Sequence, residues 1–220
     1  MDLRLKSVPL TPQLHAYTVD HGSPLDPVAR GLIGCTNELP HEVARMQIPP
    51  ELGALLTLLT RLVDARFVVE IGAFTGYGTL CLARGLAPGG TVLTCDISQE
   101  WTAIARTAWA EAGVADRIDL RVAPAEDTLR ALPHEPPIDL AFIDADKQNY
   151  IRYWEELVPR VRSGGLLVVD NVLYGGEVVT ATPSENGAAV RRFNEHVRAD
   201  DRVELVMLTL ADGVTIARKR

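Results

Sequence analysis

The chain has 220 residues, 47% of them hydrophobic and 23% charged, with a formal net charge of −7 at pH 7. This composition fits one globular domain with a sizeable core, and the acidic balance makes nucleic acid an unfavoured partner, because nucleic-acid-binding proteins usually carry a basic surface. The sequence contains neither an apolar run long enough to cross a bilayer nor the apolar segment of a signal peptide near Met1, so we expect a cytoplasmic enzyme with no membrane partner.

The cysteines and histidines do not show the spacings of a zinc site or of a nucleophilic enzyme. Cys35, Cys81 and Cys95 form no CxxC pair, and the five histidines have no ligand spacing. The chain also lacks a GxSxG motif. A zinc hydrolase and a Ser/His/Asp enzyme are therefore poor fits.

The first part of the chain is predicted to be helical. One helix begins at Thr11, with Pro12 in its first turn, and a second covers about residues 36–46. A third follows a pair of prolines and covers residues 51–63, where leucines recur at helical spacing.

From about residue 67 the pattern changes to short apolar strands that alternate with helices. The strands are predicted at residues 67–71, 91–96, 118–122, 138–144, 166–170, 203–210 and 214–217, and the helices at residues 75–86, 100–112, 188–197 and, after the fourth strand, through Tyr150 and Leu157. We interpret Ser163, Gly164 and Gly165 as a turn, and Asp212 with Gly213 as the hairpin between the last two strands. The alternation predicts an α/β fold with a mostly parallel sheet, helices on both faces and one antiparallel strand at the end.

Acidic residues end four of these strands, at the edge of the sheet where a ligand is expected: Glu70, Asp96, Asp144 and Asp170. The turn from Glu70 to Gly78 is rich in glycine but has neither the dinucleotide nor the P-loop spacing. A carboxylate here would repel a pyrophosphate, whereas S-adenosylmethionine (SAM) carries a sulfonium and an amine and no phosphate. Asp96 can accept hydrogen bonds from both ribose hydroxyls. Either acid alone could instead cap a loop, but both together favour SAM.

Three oxygen donors follow two strands that we expect to be neighbours. Asp144 ends one strand, and Asp170 and Asn171 end the other. Carboxylate and amide oxygens suit a hard divalent cation, Mg2+ above all, with Mn2+ or Ca2+ as alternatives. Each residue taken singly could instead be a turn or N-cap residue.

Lys147 favours the metal-site interpretation. It lies three residues after Asp144 and is one of three lysines, the other two being near the termini. A cation in the first turn of a helix opposes the helix dipole, so the position is unfavourable unless it serves a function. A solvated surface lysine is the alternative. Next to a metal ion the neutral amine is favoured, so Lys147 is predicted to be the base that deprotonates a metal-chelated aromatic diol, whose oxyanion attacks the methyl carbon of SAM.

Three segments together resemble the caffeoyl-CoA and catechol O-methyltransferase family, and the bacterial small-molecule members most of all. They are residues 70–77, residues 142–147 (Phe-Ile-Asp-Ala-Asp-Lys) and residues 169–173 (Val-Asp-Asn-Val-Leu). The resemblance implies the Rossmann-like class I methyltransferase fold, with a seven-stranded, mostly parallel sheet and a C-terminal antiparallel hairpin strand. It implies a single domain over residues 1–220, with N-terminal helices in residues 1–65 and the cofactor- and metal-binding core in residues 66–220. It also implies a homodimer.

The family pattern implies roles for individual residues. SAM contacts are expected at Met46, Ile48, Glu70, Gly72, Ala73, Gly78, Asp96, Ala125, Asp144 and Asp146; metal ligands at Asp144, Asp170 and Asn171; the catalytic base at Lys147; and substrate contacts at Tyr174 and Gly175. Four positions depart from the pattern, because Gly78 replaces a frequent serine, Leu52 and Ala54 replace frequent glutamines, and Tyr174 replaces a frequent tryptophan. Residues 175–187 are rich in small and polar residues and are predicted to form a mobile lid over the acceptor.

The favoured function is metal-dependent O-methylation of a catechol-like small molecule, in secondary metabolism. One alternative is a hydroxylated tRNA base as the acceptor, against which the acidic charge argues. A nicotinamide-dependent oxidoreductase is disfavoured by the acidic glycine turn and the missing GxGxxG motif. A non-catalytic protein is disfavoured by the intact set of Asp144, Lys147, Asp170 and Asn171.

Overall fold

The computed structural model of the protein describes residue 6, residues 8–135 and residues 137–220, so residues 1–5 of the predicted N-terminal region lie outside the described residues. The helices are α1 (Pro12–Asp20), α2 (Pro27–Asn37), α3 (His41–Ala44), α4 (Pro50–Leu62), α5 (Tyr77–Gly85), α6 (Gln99–Glu111), α7 (Ala125–Ala131), α8 (Tyr150–Leu157) and α9 (Glu185–Arg198). The strands are β1 (Phe67–Ile71), β2 (Thr91–Asp96), β3 (Ile118–Val122), β4 (Ile138–Ile143), β5 (Val161–Val169), β6 (Val203–Leu208) and β7 (Val214–Lys219). Short 3-10 turns cover Ala115–Arg117, Lys147–Asn149 and Tyr174–Val179.

The strands form one seven-stranded sheet within the described residues, in the order β3-β2-β1-β4-β5-β7-β6. Strands β1 to β5 pair in parallel, whereas β7 runs antiparallel to both β5 and β6. The predicted α/β class, the mostly parallel sheet and the antiparallel strand at the C-terminal end are confirmed.

Helices cover both faces of the sheet, because successive side chains of a strand point to opposite sides. In β1, Val68 packs into a core that includes residues of α2, α4, α5 and α6. Its neighbour Val69 packs into a second core with residues of α7, α8 and α9. The long apolar runs of the sequence reflect this burial on both faces.

The predicted helix over residues 36–46 is wrong. The structure ends α2 at Asn37 and begins the short α3 at His41, after Pro40. Proline has no N–H for a helix interior and disfavours helical geometry in the residue before it. The helix that the prediction missed, α2, begins with an N-cap hydrogen bond in which the Asp26 side chain accepts from the Ala29 N–H at 3.0 Å.

The predicted turn over residues 163–165 lies inside β5, which begins at Val161 rather than at residue 166. The register shifts here, since Ile138 pairs with Val161 and Leu140 with Leu166. The extra residues of β5 form an irregularity, and Gly164 takes a φ of +77° in it. The turn signal was therefore correct about local backbone geometry and wrong about where the strand begins. Helix α7 was also missed.

Asp139 fixes β4 to its neighbours at this irregularity. One carboxylate oxygen accepts hydrogen bonds from the backbone N–H groups of Arg66 and Phe67, at 2.7 and 2.9 Å, and the other accepts from the Arg162 Nε at 2.6 Å. These hydrogen bonds lower the pKa of Asp139, although partial burial opposes them. Asp139 thus connects the start of β1 to the start of β5.

No helix in the described parts of the chain is long and apolar enough to span a membrane.

Candidate active site

The carboxyl ends of β1, β2, β4 and β5 border one cavity of about 1290 Å³. Backbone hydrogen bonds hold these strand ends side by side, because the Asp144 N–H donates to Ile71 at 2.9 Å and the Asp170 N–H donates to Ile143 at 3.0 Å. Every residue of the predicted site lines this cavity: Met46, Ile48, Glu70, Gly72, Ala73, Gly78, Asp96, Ala125, Asp144, Asp146, Lys147, Asp170, Asn171, Tyr174 and Gly175. The structure therefore brings together all the residues that the sequence selected.

Glu70 is completely buried at the end of β1. Its Oε2 accepts hydrogen bonds from the hydroxyl groups of Thr79 and, at 2.6 Å, Thr94. Its Oε1 is buried and has no hydrogen-bond partner among the described residues. Burial raises the pKa of Glu70 to about 7, against the effect of the two threonines. A buried carboxylate oxygen without a partner, on the cavity wall, suits a cationic ligand group.

Gly72 is required where the turn after β1 passes the end of β4. Its φ is +99°, and a Cβ at this position would overlap the backbone oxygen of Asp144. Gly78 has a related role, because a Cβ there would lie 2.7 Å from the Oε1 of Glu70. The glycines thus let the backbone and the Glu70 carboxyl approach the cavity closely.

Asp96 caps the glycine-rich turn. Its Oδ2 accepts from the N–H groups of Ala73 and Phe74, at 3.1 and 2.7 Å, and its Oδ1 accepts from the Ser98 N–H at 2.8 Å. The loop-capping alternative therefore describes part of what Asp96 does. A carboxylate has about four acceptor positions, so Asp96 can still accept a hydrogen bond from a ligand in the cavity.

Asp144, Asp170 and Asn171 lie together at the ends of β4 and β5. The Asp170 side chain is buried, and its Oδ1 accepts from the Asn171 N–H at 2.7 Å. Burial and the nearby Asp144 carboxylate raise the pKa of Asp170 to about 7. Asn171 has a φ of +56°, a left-handed conformation that asparagine tolerates better than most residues. The described residues contain no cluster of three or more His, Cys, Asp and Glu side chains in metal-binding arrangement, and this set has two carboxylates and one amide.

Lys147 points its amine at these carboxylates. Its Nζ donates to the Asp144 Oδ1 at 3.2 Å and to the Tyr150 hydroxyl at 2.7 Å. Only 12% of the Lys147 side chain is exposed, which contradicts the alternative of a solvated surface lysine.

The acceptor side of the cavity is built from Asp212 and from the predicted lid. Asp212 accepts a hydrogen bond from the Gly175 N–H at 2.6 Å, and Asn186 donates to the Tyr174 hydroxyl at 3.1 Å. The Arg191 guanidinium, on α9, donates to backbone carbonyls of the lid. The lid is thus attached to α9 by several hydrogen bonds, and its mobility stays a prediction.

The sequence interpretation missed residues that contribute to this cavity. Trp101, in the first turn of α6, lines it and packs edge-on against Phe74, with ring centroids 5.7 Å apart. An aromatic residue soon after an acidic strand end was the available signal. Tyr150 was used only to place a helix, because nothing in its spacing shows that its hydroxyl meets the Lys147 amine.

Comparison with known proteins identifies the family. The family model described as O-methyltransferase matches residues 20–220. The protein named "Probable caffeoyl-CoA O-methyltransferase 1" of Dictyostelium discoideum is 36% identical over 210 residues, covering 92% of this chain and 90% of that protein. The chain therefore belongs to the O-methyltransferase family, and it is a SAM-dependent O-methyltransferase of the caffeoyl-CoA and catechol type, as its sequence motifs predicted.

Solved structures agree with this assignment. The O-methyltransferase from Bacillus cereus in complex with SAH is 32% identical, with a TM-score of 0.85, over 94% of this chain and 97% of that chain. The O-methyltransferase TomG from Streptomyces achromogenes, involved in tomaymycin synthesis and solved in complex with SAM, is 30% identical, with a TM-score of 0.86, over 94% and 96%. The predicted Rossmann-like methyltransferase fold is confirmed, and these complexes support SAM as the cofactor.

Proposed function

We propose that the enzyme binds a divalent cation, Mg2+ in the first place, through Asp144, Asp170 and Asn171, and methylates one hydroxyl of a small aromatic vicinal diol. The observation that carries the proposal is the juxtaposition of two carboxylates at adjacent strand ends with the Lys147 amine, 3.2 Å from the Asp144 carboxylate. These groups line the same cavity as the residues expected to bind SAM.

The donor set fits a hard cation. Two carboxyl groups and one amide supply oxygen ligands, and no soft sulfur ligand is among them. The raised pKa of Asp170 reflects burial and repulsion by Asp144. A bound cation would stabilise the ionised form of Asp170 against both effects. When bound, such a cation would hold both oxygens of the diol and favour loss of a hydroxyl proton.

The residues of the chain then perform separate tasks. SAM, when bound, supplies the methyl group and leaves as S-adenosylhomocysteine. Glu70 places a carboxylate oxygen toward the positively charged end of that cofactor, and the carboxylate of Asp96 accepts hydrogen bonds from its ribose hydroxyls through the acceptor positions that the loop leaves open. Lys147 lies where it can take the hydroxyl proton of the acceptor, so that the oxygen attacks as an oxyanion.

The charge of the cavity supports a small acceptor over an acyl-CoA. The carboxyl groups that line it belong to Glu70, Asp96, Asp144, Asp146, Asp170, Glu177 and Asp212, and the basic side chains to Arg45 and Lys147. A coenzyme A thioester carries several negative charges and would be repelled by this excess of carboxyl groups. We therefore infer a neutral or cationic diol, and expect no nucleic-acid acceptor for the same reason.

The metabolic role, the oligomeric state and the location of the enzyme stay proposals. A role in secondary metabolism is supported by the likeness to TomG, which is involved in tomaymycin synthesis. The homodimer is supported by the family resemblance and by Leu205, Val206, Met207 and Leu208, which are partly exposed on the edge strand β6. The cytoplasmic location stays a prediction.

The test is methyl transfer from SAM to catechol and to caffeoyl-CoA, first with a chelator and then with Mg2+ restored. We expect no turnover in chelator, recovery with Mg2+, and preference for catechol. Lys147→Ala should lower kcat by about 10²- to 10⁴-fold, the usual worth of a positioned base, with the Kd for SAM nearly unchanged.

Lys219→Ala is the matched control, because Lys219 donates to the Val158 carbonyl and does not line the cavity. Its turnover should equal that of the wild type. Full activity in chelator would remove the cation from the mechanism. Parallel losses of SAM affinity and kcat in Lys147→Ala would contradict the role of Lys147 as the base.

A further inference from the structure

Tyr150 is a buried tyrosine whose hydroxyl lies between two parts of the proposed catalytic site. It is the first residue of α8 and is fully buried. Its hydroxyl lies 2.7 Å from the Lys147 Nζ and 3.1 Å from the backbone oxygen of Asp170. The lysine amine also lies over the Tyr150 ring, 4.9 Å from its centroid.

The direction of these hydrogen bonds follows from the donors that are present. The Asp170 carbonyl oxygen can only accept a hydrogen bond, so the Tyr150 hydroxyl donates its single proton to that oxygen. A lone pair of the same hydroxyl is then left to accept an N–H from Lys147. The Tyr150 hydroxyl thus bridges the Lys147 amine and the Asp170 carbonyl.

The ring of Tyr150 is held from behind by α9. Phe193 packs edge-on against it, with ring centroids 5.4 Å apart and planes at 80°, and Trp154 packs against Phe193 in the same manner. All three rings are fully buried. The hydroxyl therefore has a defined position relative to the sheet, whereas a lysine side chain by itself has many rotamers.

We propose that Tyr150 is a positioning residue, which fixes the Lys147 amine against the strand end that carries Asp170. The inference rests on the proposed role of Lys147 as the base. Without the Tyr150 hydroxyl, the amine would keep its hydrogen bond to Asp144 and its place over the ring, but it would lose the hydrogen bond that ties it to the Asp170 strand end and would sample positions away from the acceptor hydroxyl. The predicted consequence is a loss in proton removal, with cofactor binding and folding preserved.

The experiment compares two acceptors in Tyr150→Phe, which removes the hydroxyl and keeps the packed ring. With catechol, kcat should fall about tenfold, which corresponds to the net free energy of one hydrogen bond, while the KM for SAM and the Tm stay near those of the wild type. With a nitrocatechol at mildly alkaline pH the acceptor hydroxyl is already ionised, so it needs no base. Its kcat in Tyr150→Phe should stay within about twofold of the wild type.

Tyr153→Phe is the contrasting variant on the same helix. The Tyr153 hydroxyl donates to Asp146 at 2.6 Å, so its removal should raise the KM for SAM equally with both acceptors. An equal loss of kcat with catechol and nitrocatechol in Tyr150→Phe would overturn the proposal, and so would unchanged kcat with catechol.

Measurements on Lys147→Ala with the same two acceptors distinguish a failure of the base role of Lys147 from a failure of the positioning role of Tyr150. If nitrocatechol does not rescue Lys147→Ala, the role of Lys147 as the base fails. If nitrocatechol rescues it while Tyr150→Phe behaves as wild type, only the positioning role of Tyr150 fails.

Discussion

Replacement of Glu70 by glutamine removes a charge from a fully buried position and leaves a side chain of nearly the same size. Burial raises the pKa of Glu70 from 4.5 to about 7, which corresponds to about 3 kcal/mol between its neutral and ionised forms. Between these two pH values the unfolded chain has lost the proton of Glu70 while the folded protein still holds it. The folded state then binds more protons, so its stability falls as pH rises.

Two consequences follow for Glu70→Gln. Without ligand, the variant should lose less stability than the wild type between about pH 4.5 and about pH 7, the difference being up to about 3 kcal/mol. SAM binding should weaken by about 10- to 100-fold above neutral pH, since a hydrogen bond to a charged group is worth about 1.5–3 kcal/mol. The affinity of the wild type should rise as pH passes through 7, and that of the variant should stay flat.

Calorimetric titration with SAM and urea unfolding across this pH range measure both effects. Glu177→Gln is the matched control, because Glu177 is a partly exposed carboxylate on the acceptor side of the same cavity. The control should keep the pH dependence of SAM binding. If Glu70→Gln binds SAM with wild-type affinity and the same dependence on pH, the assignment of Glu70 to the cofactor is refuted.

Two further predictions concern stability. Gly72→Ala should lower the free energy of unfolding in urea by more than about 2 kcal/mol, because the new Cβ would overlap the Asp144 backbone oxygen at a φ of +99°. Gly175→Ala has open space at a φ of +59° and should lower it by only about 1–2 kcal/mol, so equal losses would contradict the steric argument. Asp139→Ala should lower the free energy of unfolding by about 2–4 kcal/mol, because it removes the hydrogen bonds to two backbone N–H groups and to Arg162, while kcat stays unchanged below the unfolding transition. A loss under about 0.5 kcal/mol would show that Asp139 does not hold β4 to its neighbours.

The site could be predicted because it depends on a topological rule. Parallel strands place their carboxyl ends on one edge, so the acidic residues that end β1, β2, β4 and β5 had to meet there. The continuous apolar character of those strands made their positions clear in the sequence. The residues that follow them, such as Asn171 and Lys147, could then be placed by counting from the strand ends.

The parts that escaped prediction depend on weaker or longer-range signals. Helix α2 contains Gly31 and Gly34, which lower helix propensity, and its start is marked only locally, by the N-cap at Asp26 followed by Pro27. The predicted helix over residues 36–46 ran through Pro40, which lies between the end of α2 and the start of α3. The role of Tyr150 depends on a contact between a helix and a strand end, which sequence spacing does not encode.

The central claim is that Asp144, Asp170 and Asn171 hold one cation that also binds the acceptor. Anomalous diffraction from a crystal grown with Mn2+, S-adenosylhomocysteine and catechol tests it most directly. We expect a peak about 2.1–2.2 Å from oxygens of these three side chains and of both catechol hydroxyls. A peak elsewhere, or bound catechol with no peak between it and these residues, would contradict the claim.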